Sequence, residues 1–212
     1  MKKIFLSAFV AIITMSNTMA QNVVKNNFDA EVTDEVIQKD LEETSKNAGY
    51  SKLLLGEVLM KGDNKTSSMG LSYGVELGGI RYITPNVPLY YGLGYLTYSK
   101  SKNGVRSNAW SLRVPVNIGY KIKAGNFSIV PRVGPYADWE IYGKDEMGIG
   151  RDKIKAKHSD AEGFHAVTFG ANAALGVSYK GIGIYAEYGY ALTERFENCK
   201  QNYWAMGLIL EL

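Results

Sequence analysis

The sequence has few of the residues that most often carry chemistry: one cysteine, two histidines and five prolines. The single cysteine, Cys199, excludes an internal disulfide framework, and we expect a free thiol in a surface loop. Beyond residue 20, no apolar run approaches the roughly 20 residues that a membrane-spanning helix needs. We therefore predict no helical membrane anchor.

An excess of charge of either sign is also lacking. The chain has 24 basic and 21 acidic residues, and subtracting Lys2 and Lys3 with the predicted signal peptide leaves 22 basic residues. The resulting net charge of about +1 gives no electrostatic footprint for nucleic acid. We exclude nucleic acid as a partner on this ground.

The first 20 residues have the three parts of a secretory signal peptide. Lys2 and Lys3 precede the mostly apolar residues 4–13, and Thr18-Met19-Ala20 forms a small-x-small cleavage site. No cysteine follows the cleavage site, so a lipid-modified N-terminus is not expected. Residues 1–20 are thus predicted to direct export.

Residues 21–49 differ in composition from the chain that follows. They hold three lysines against seven acidic residues and few large apolar side chains. Thr33 could cap a short helix that runs through Lys46. We interpret this stretch as an acidic N-terminal periplasmic segment, flexible or partly helical, that either docks a periplasmic protein partner or has no specific role.

Residues 110–120 show strict alternation, with an apolar residue at every second position from Trp110 to Tyr120. Side chains of a β-strand point alternately to two faces, so one face of this strand is apolar and the other polar or small. Aromatic residues at both ends of the apolar face suggest a strand that crosses a membrane with its polar face inward.

The same alternation recurs in six further segments, residues 69–78, 89–95, 127–140, 167–179, 182–192 and 203–212. An eighth strand is needed, because single-chain bacterial barrels have an even strand count and lipid does not tolerate an open sheet edge. Residues 50–60 are the candidate. With Glu57 assigned to the interior, this strand points Leu54, Val58 and Met60 outward and Leu53, Leu55 and Leu59 inward.

The connections between these strands alternate in length. Short turns at residues 84–87, 123–126 and 180–181 alternate with longer loops at residues 61–68, 100–107, 142–164 and 193–201. Outer-membrane barrels have short periplasmic turns and longer external loops, so both termini are expected in the periplasm. We predict an all-β fold, an eight-stranded antiparallel up-and-down transmembrane β-barrel over residues 50–212 with a short periplasmic N-terminal tail, in the cell outer membrane.

The interior of an eight-stranded barrel is just wide enough for side chains to fill it. Buried charges must be paired or they cost several kcal/mol each, so we expect Arg113 and Arg132 to lie among carboxylates. Tyr90, Tyr136 and Tyr185 would complete the hydrogen bonds. The predicted lumen charge network comprises Glu57, Glu76, Arg113, Arg132, Asp138, Glu140 and Glu187, with Glu211 at the end of the last strand.

Three short motifs resemble the outer-membrane β-barrel domain family of Bacteroidetes, which includes the PorT-type proteins. They are Leu112-Arg113-Val114-Pro115, Gly134-Pro135-Tyr136 and a final strand with Gly207-x-x-Leu210-x-Leu212. The last motif is similar to the C-terminal signal that the barrel-assembly machinery reads, although it ends on leucine where an aromatic residue is usual. PorT-type members are implicated in a secretion and gliding apparatus. The resemblance covers about residues 50–212.

Catalytic and metal-binding residues are poorly represented. His158-Ser159-Asp160 combines the residue types of a hydrolase, but neighbours in a loop do not form a triad by sequence order alone. His158, Asp160, Glu162 and His165 could ligate a metal, but their spacing is not a fixed helical one. We expect no enzyme, no metal and no cofactor.

The leading functional prediction is a structural or interaction protein with a side-chain-filled lumen, acting through its loops or its periplasmic tail. Lysines and Arg151 in the long loop could contact the anionic surface of lipopolysaccharide, which together with outer-membrane lipid is an expected partner. The alternatives are a narrow pore or small hydrophobic-ligand transporter, and a lipid-modifying enzyme. A soluble lipocalin-like barrel, with the apolar face inward, is the alternative fold.

Overall fold

A computed structural model describes residues 47–62, 66–102, 105–147 and 154–212. Their strands are β1 (Asn47–Lys61), β2 (Thr66–Thr84), β3 (Val87–Lys102), β4 (Val105–Gly119), β5 (Ile122–Ala124), β6 (Phe127–Met147), β7 (Ile154–Lys157), β8 (Val167–Tyr179), β9 (Ile182–Ala191), β10 (Glu194–Phe196) and β11 (Cys199–Glu211). A single turn of 3-10 helix spans His158–Asp160. The predicted signal peptide, and residues 21–46 with the helix considered there, lie outside the described residues.

Eight long strands form a closed antiparallel ring in the order β1-β2-β3-β4-β6-β8-β9-β11, and β1 pairs with β11 to close it. Consecutive long strands are neighbours, which is the up-and-down topology. The short strands β5 and β7 pair with β6, and β10 pairs with β11. The predicted eight-stranded antiparallel up-and-down barrel is confirmed. No helix in the described ranges is long and apolar enough to cross a membrane.

The strands are strongly tilted, as the pairing register shows. Paired residues can be followed around the ring from Glu57, and the path returns to β1 at Asn47, ten residues earlier. It passes through Trp204, Tyr188, Ala173, Val133, Ile118, Leu89 and Arg81. A closed sheet needs such a stagger, because strands that tilt against the barrel axis meet their neighbours out of step.

Alternation along the strands separates the two faces of the wall. In β6, Ser128, Val130 and Arg132 are buried, whereas Ile129 and Val133 are exposed on the outside. The same division holds along β4, where Arg113 is 5 % exposed and Val114 is 48 % exposed. The exposed large hydrophobic side chains therefore form the outer surface of the barrel, and the lipocalin-like alternative with an apolar interior is wrong.

The orientation predicted for β1 is wrong. Leu53 and Leu55 lie on the outer surface, while Leu54 and Val58 are buried in the interior. Glu57 consequently points outward, where its carboxylate accepts a hydrogen bond from Trp204 Nε1 at 3.2 Å. Keeping two leucines on the lipid-facing side outweighs exposing one carboxylate that finds a donor beside it.

The two ends of the barrel differ, and we name them by their connections. The turn end carries the short connections β2–β3, β4–β6 and β8–β9, and the loop end carries the other four. Strands extend further at the loop end than predicted, because β7 pairs with residues 144–147 of β6 inside the stretch expected to be a loop. β1 begins at Asn47, three residues before the predicted boundary.

Candidate functional site: the lumen charge network and the outer surface

The middle of the lumen is built around Lys52, a residue that β1 brings inside. Its Nζ lies 2.6 Å from Glu76 Oε1 and 3.6 Å from Glu187 Oε2, and all three side chains are buried. Tyr50 donates a hydrogen bond to Glu76 at 2.7 Å, and Tyr203 donates one to Glu187 at 2.8 Å. A lysine between two carboxylates, each also bonded to a tyrosine, meets the condition for burying charge.

Asp138 joins two arginines that come from opposite directions. Its Oδ2 is 3.0 Å from Nη2 of Arg113, and its Oδ1 is 2.7 Å from Nη2 of Arg195. Ser111 adds a hydrogen bond to Oδ2 at 3.2 Å. The Arg113 guanidinium also lies over the Tyr203 ring, 3.5 Å from its centroid, which is close contact for a cation–π pair.

Arg195 comes from the loop end, where β10 turns it into the barrel. It is fully buried and donates hydrogen bonds to the backbone oxygens of His165 and Ala166, to Thr168 Oγ1 at 3.0 Å and to Gln201 Oε1 at 2.9 Å. One guanidinium thus fastens the β9–β11 connection to the start of β8. Arg195 therefore fills the part of the lumen nearest the loop end.

The segment that enters β8 covers the lumen at its loop end. His158 Nδ1 is 2.7 Å from Glu140 Oε1, and His158 Nε2 is 3.4 Å from Asp145 Oδ1. The imidazole packs against the rings of Phe164 and Phe196. Burial disfavours the charged ring, but the hydrogen bond and charge of Glu140, with Asp145, outweigh it and raise the pKa of His158 above its ordinary value.

The turn end has its own smaller cluster. Lys121 Nζ lies 2.9 Å from Glu211 Oε2 and 3.0 Å from the hydroxyl of Tyr82, and Tyr90 donates a hydrogen bond to Glu211 Oε1 at 3.0 Å. Because Lys121 and Glu211 come from the β4–β6 turn and the end of β11, this ion pair crosses the barrel mouth. This ion pair lies on the turn-end side of the lumen network.

Arg132 differs from the other lumen cations, because none of its three nitrogens has a hydrogen-bond partner among the described residues. It is 2 % exposed, and its guanidinium lies 4.6 Å from the centroid of the Tyr90 ring. A cavity of about 10 Å³, the size of one water molecule, adjoins it. The aromatic face is the chief contact of this cation.

The structure therefore places the predicted network residues as follows. Glu76, Arg113, Arg132, Asp138, Glu140 and Glu187 are buried in the lumen, and Glu57 lies outside. Arg113 is beside Asp138 as expected, but Arg132 forms no ion pair in the described part of the chain. Tyr90 and Tyr136 flank the two arginines, and Tyr185 donates its hydroxyl to the Leu53 carbonyl.

Lys52 and Arg195 are not in the predicted network, and His158 is considered from the sequence only as a catalytic or metal-binding residue. Lys52 would be predicted in the lumen if Leu53 and Leu55 were taken as the outward residues of β1, because the even-numbered residues then point inside. In β9 the odd-numbered residues Tyr185, Glu187 and Ala191 face the lumen. Extending this alternation past the end of β9 would also place Arg195 inside. His158 carries no comparable signal, because a loop residue has no periodicity to extrapolate.

The residues considered for catalysis are not brought together. Both ring nitrogens of His158 face carboxylates in the barrel mouth, whereas Ser159 Oγ hydrogen-bonds to exposed Asp160. Asp160, Glu162 and His165 are exposed, and His158 alone of the considered metal ligands is buried. Within the described ranges no group of three or more His, Cys, Asp or Glu side chains could hold a metal ion.

Aromatic rings border the outer apolar surface at both ends. Toward the turn end lie Tyr91, Tyr120, Phe127 and Tyr179, with Phe127 and Tyr179 in contact at 4.9 Å between centroids. Toward the loop end lie Tyr73, Trp110, Trp139, Phe169, Tyr190 and Trp204. Two aromatic girdles around an apolar band, with a polar interior, define a small β-barrel of the outer-membrane type.

Solved structures similar to this chain include three from bacterial proteins. Ail, the attachment invasion locus protein of Yersinia pestis, is 12% identical with a TM-score of 0.47, covering 79% of this chain and 99% of Ail. Neisserial surface protein A is 10% identical with a TM-score of 0.46, covering 77% and 97%. The N-terminal β-barrel domain of Pseudomonas aeruginosa OprF is 11% identical with a TM-score of 0.38, covering 79% and 98%. At these identities the likeness concerns the fold alone.

No protein-family model matches the sequence, and no curated protein matches it.

Proposed function

We propose that this protein spans the outer membrane as a closed barrel and acts through its exposed surfaces, as a structural or interaction protein. The observation that carries the proposal is the filled lumen. Among the described residues, four cations, Lys52, Arg113, Arg132 and Arg195, share it with four acids, Glu76, Asp138, Glu140 and Glu187. Equal numbers of opposite charges, most of them in direct contact, leave a neutral plug in place of a water-filled path.

The arrangement of these charges supports a plug that does not open easily. Removing one member of a buried ion pair leaves its partner uncompensated, at a cost of about 3–5 kcal/mol. The Lys121–Glu211 pair below and the His158–Glu140 pair above close the two mouths. Opening a channel would require breaking several such contacts together.

The proposal extends to partners and topology. Both termini would lie in the periplasm, where the acidic residues 21–49 meet a protein partner, and the barrel-assembly machinery would insert the chain. Outer-membrane lipid and lipopolysaccharide would surround it. We keep the PorT-like Bacteroidetes resemblance as the family hypothesis, and we propose no enzymatic activity because His158 is occupied by Glu140 and Asp145.

Liposome swelling tests the closed lumen. Purified protein reconstituted into liposomes should pass small sugars no faster than empty liposomes, whereas a general porin gives rapid swelling. A variant with Lys52, Glu76 and Glu187 all changed to serine removes the central cluster and should raise the flux of small ions. Rapid sugar entry through the wild-type protein would overturn the proposal in favour of the pore alternative.

Fractionation and capture test location and partner separately. The wild-type protein should be extracted only by detergent, and release by osmotic shock would contradict membrane insertion. A pull-down from detergent extracts, with full-length mature chain and with a chain lacking residues 21–46, which leaves β1 intact, should recover a periplasmic protein with the first only. Equal recovery with both chains would exclude the acidic segment as the docking element.

A further inference from the structure

An apolar groove runs along the outer surface of β6, β8 and β9. Its floor is made of two alanines of β8, Ala171 and Ala173, whose small side chains leave a depression of about 510 Å³. Pro135 and Val133 of β6 pair with these alanines on one side, and Tyr190 and Tyr188 of β9 pair with them on the other. The groove therefore lies in the membrane-facing wall and reaches the loop-end girdle at Tyr190.

Two lysines lie directly opposite each other next to the upper end of this groove. Lys61 of β1 and Lys200 of β11 are paired residues, and like charges placed directly across two strands normally destabilise a sheet. Their Nζ atoms lie 5.8 and 5.9 Å from the centroid of the Tyr190 ring. In the described part of the chain the two lysine side chains form no hydrogen bond or ion pair besides these cation–π contacts.

Among the described residues, two carboxylates lie near the lysine pair, and each accepts a hydrogen bond from another group. Glu194 is the paired residue of Lys200 in β10, but its Oε2 accepts a hydrogen bond from the Asn198 backbone at 3.2 Å. Glu57, on the outer face of β1, accepts one from Trp204. Neither carboxylate forms an ion pair with Lys61 or Lys200 in the described part of the chain, so both ammonium groups can attract an external anion.

We propose that this groove and the lysine pair together bind a phosphorylated glycolipid of the outer leaflet, lipid A. A phosphate would lie between Lys61 and Lys200, and one acyl chain would lie along Ala171 and Ala173 beside the tyrosine rings. Only a lipid combines an anionic group at the interface with a hydrocarbon chain extending below the aromatic girdle. The inference rests on the proposed function, because it requires the loop end to face outward.

The site can be tested on full-length protein purified from outer membranes in a mild detergent, with native mass spectrometry as the readout and lipid A as the probe. The wild-type protein should retain lipid A through purification. The double variant Lys61→Gln/Lys200→Gln should retain about thirtyfold less, since each of the two lysines near an anionic lipid contributes about 1 kcal/mol and 1.4 kcal/mol is about tenfold in affinity. Enzymatically dephosphorylated lipid A should bind the wild type as weakly as lipid A binds the double variant.

The groove needs its own variant and a matched control. Ala173→Leu fills the floor and should reduce retention, whereas Ala186→Leu places the same side chain on the outer face of β9 outside the groove and should not. Unchanged retention in the double lysine variant, or equal binding of the phosphorylated and dephosphorylated lipids, would overturn the inference. Detergent-only extraction of every variant, with no lipid A on the wild type, would reject this site and leave the membrane barrel standing. A wild type found outside the membrane would reject both.

Discussion

Arg113 and Arg132 face the same lumen from adjacent strands, yet their surroundings differ. Arg113 makes two contacts with Asp138 Oδ2, at 3.1 Å from Nε and 3.0 Å from Nη2, whereas Arg132 relies on aromatic faces. A paired buried charge is costly to remove because its partner remains, and an unpaired one is not. The two arginines should therefore respond differently to the same substitution.

We predict that Arg113→Met destabilises the barrel by about 3–5 kcal/mol and that Arg132→Met changes stability by less than about 1 kcal/mol or increases it. Urea-dependent folding into lipid vesicles, followed by tryptophan fluorescence, measures both. The two substitutions are matched in size, and both lie within the barrel wall. Equal losses in the two variants would show that Arg132 has partners equivalent to Asp138.

His158 should make stability depend on pH. Its folded-state pKa is raised above the ordinary value of 6.5, with Glu140 and Asp145 facing it from β6, Tyr98 bonded to Glu140, and Arg195 Nε 4.0 Å from Glu140. A group with a raised folded pKa contributes stability that is complete below its unfolded pKa and is lost as pH rises through the folded value.

The stability difference between the wild type and His158→Gln should therefore be largest in mildly acidic solution and decline as pH is raised. Melting temperatures of both proteins across this range measure it, and subtracting one curve from the other removes the contributions of other groups. Asp160→Asn, a change in an exposed residue of the same turn, should leave the profile of the wild type unchanged. A difference that is constant with pH would show that the imidazole is neutral throughout.

At the scale of the strand, alternation predicts side-chain direction where every outward residue is apolar. β6 follows it from Phe127 to Trp139, and β4 follows it from Trp110 to Gly119. β1 could not be oriented this way, because Leu53, Leu54 and Leu55 are consecutive and both parities contain apolar residues. The choice then depended on a single charge, Glu57, and a carboxylate with an indole donor beside it can stay outside.

The corrected orientation of β1 predicts a large loss of stability for one substitution and almost none for another two residues away. Leu55→Arg puts a charge on the lipid-facing surface and should cost about 2–4 kcal/mol, or block assembly. Glu57→Gln keeps a side chain that can accept the Trp204 hydrogen bond and should change stability by about 0.5 kcal/mol or less. The gel-mobility shift of folded against heated protein, together with urea titration, measures both. A tolerant Leu55 and a sensitive Glu57 would restore the inward assignment of Glu57.

The remaining site residues are positioned by short strands that lie in stretches predicted to be loops. β10 holds Arg195 inside, and the 3-10 turn after β7 holds His158 over the mouth. Both residues lie in stretches that are polar and irregular in sequence, so no apolar period marks them as structured. The balance of charge offers the remaining clue. The predicted interior has two arginines for six carboxylates, Glu211 included, and the cations that it lacks are Lys52, Lys121 and Arg195.

At the scale of the whole molecule, the length of the connections predicts which end faces outward. Asn126 lies in the exposed turn between β5 and β6, and Glu197 lies in the exposed β10–β11 connection at the opposite end. The chain has one native cysteine, Cys199, so a cysteine-free background needs only Cys199→Ser. Single cysteines at the two ends then report on opposite sides of the membrane.

In the Cys199→Ser background, Glu197→Cys should react in intact cells with a membrane-impermeant maleimide, and Asn126→Cys should react only after the outer membrane is permeabilised. The reason is geometric: an even number of strands puts every short turn, and both termini, on one side, so one accessible loop fixes the sidedness of all connections. Labelling after permeabilisation controls for the reactivity of each thiol. If Asn126→Cys were labelled in intact cells and Glu197→Cys were not, the barrel would be inverted, and the lysine pair at the loop end would face the periplasm, away from the leaflet that carries lipid A.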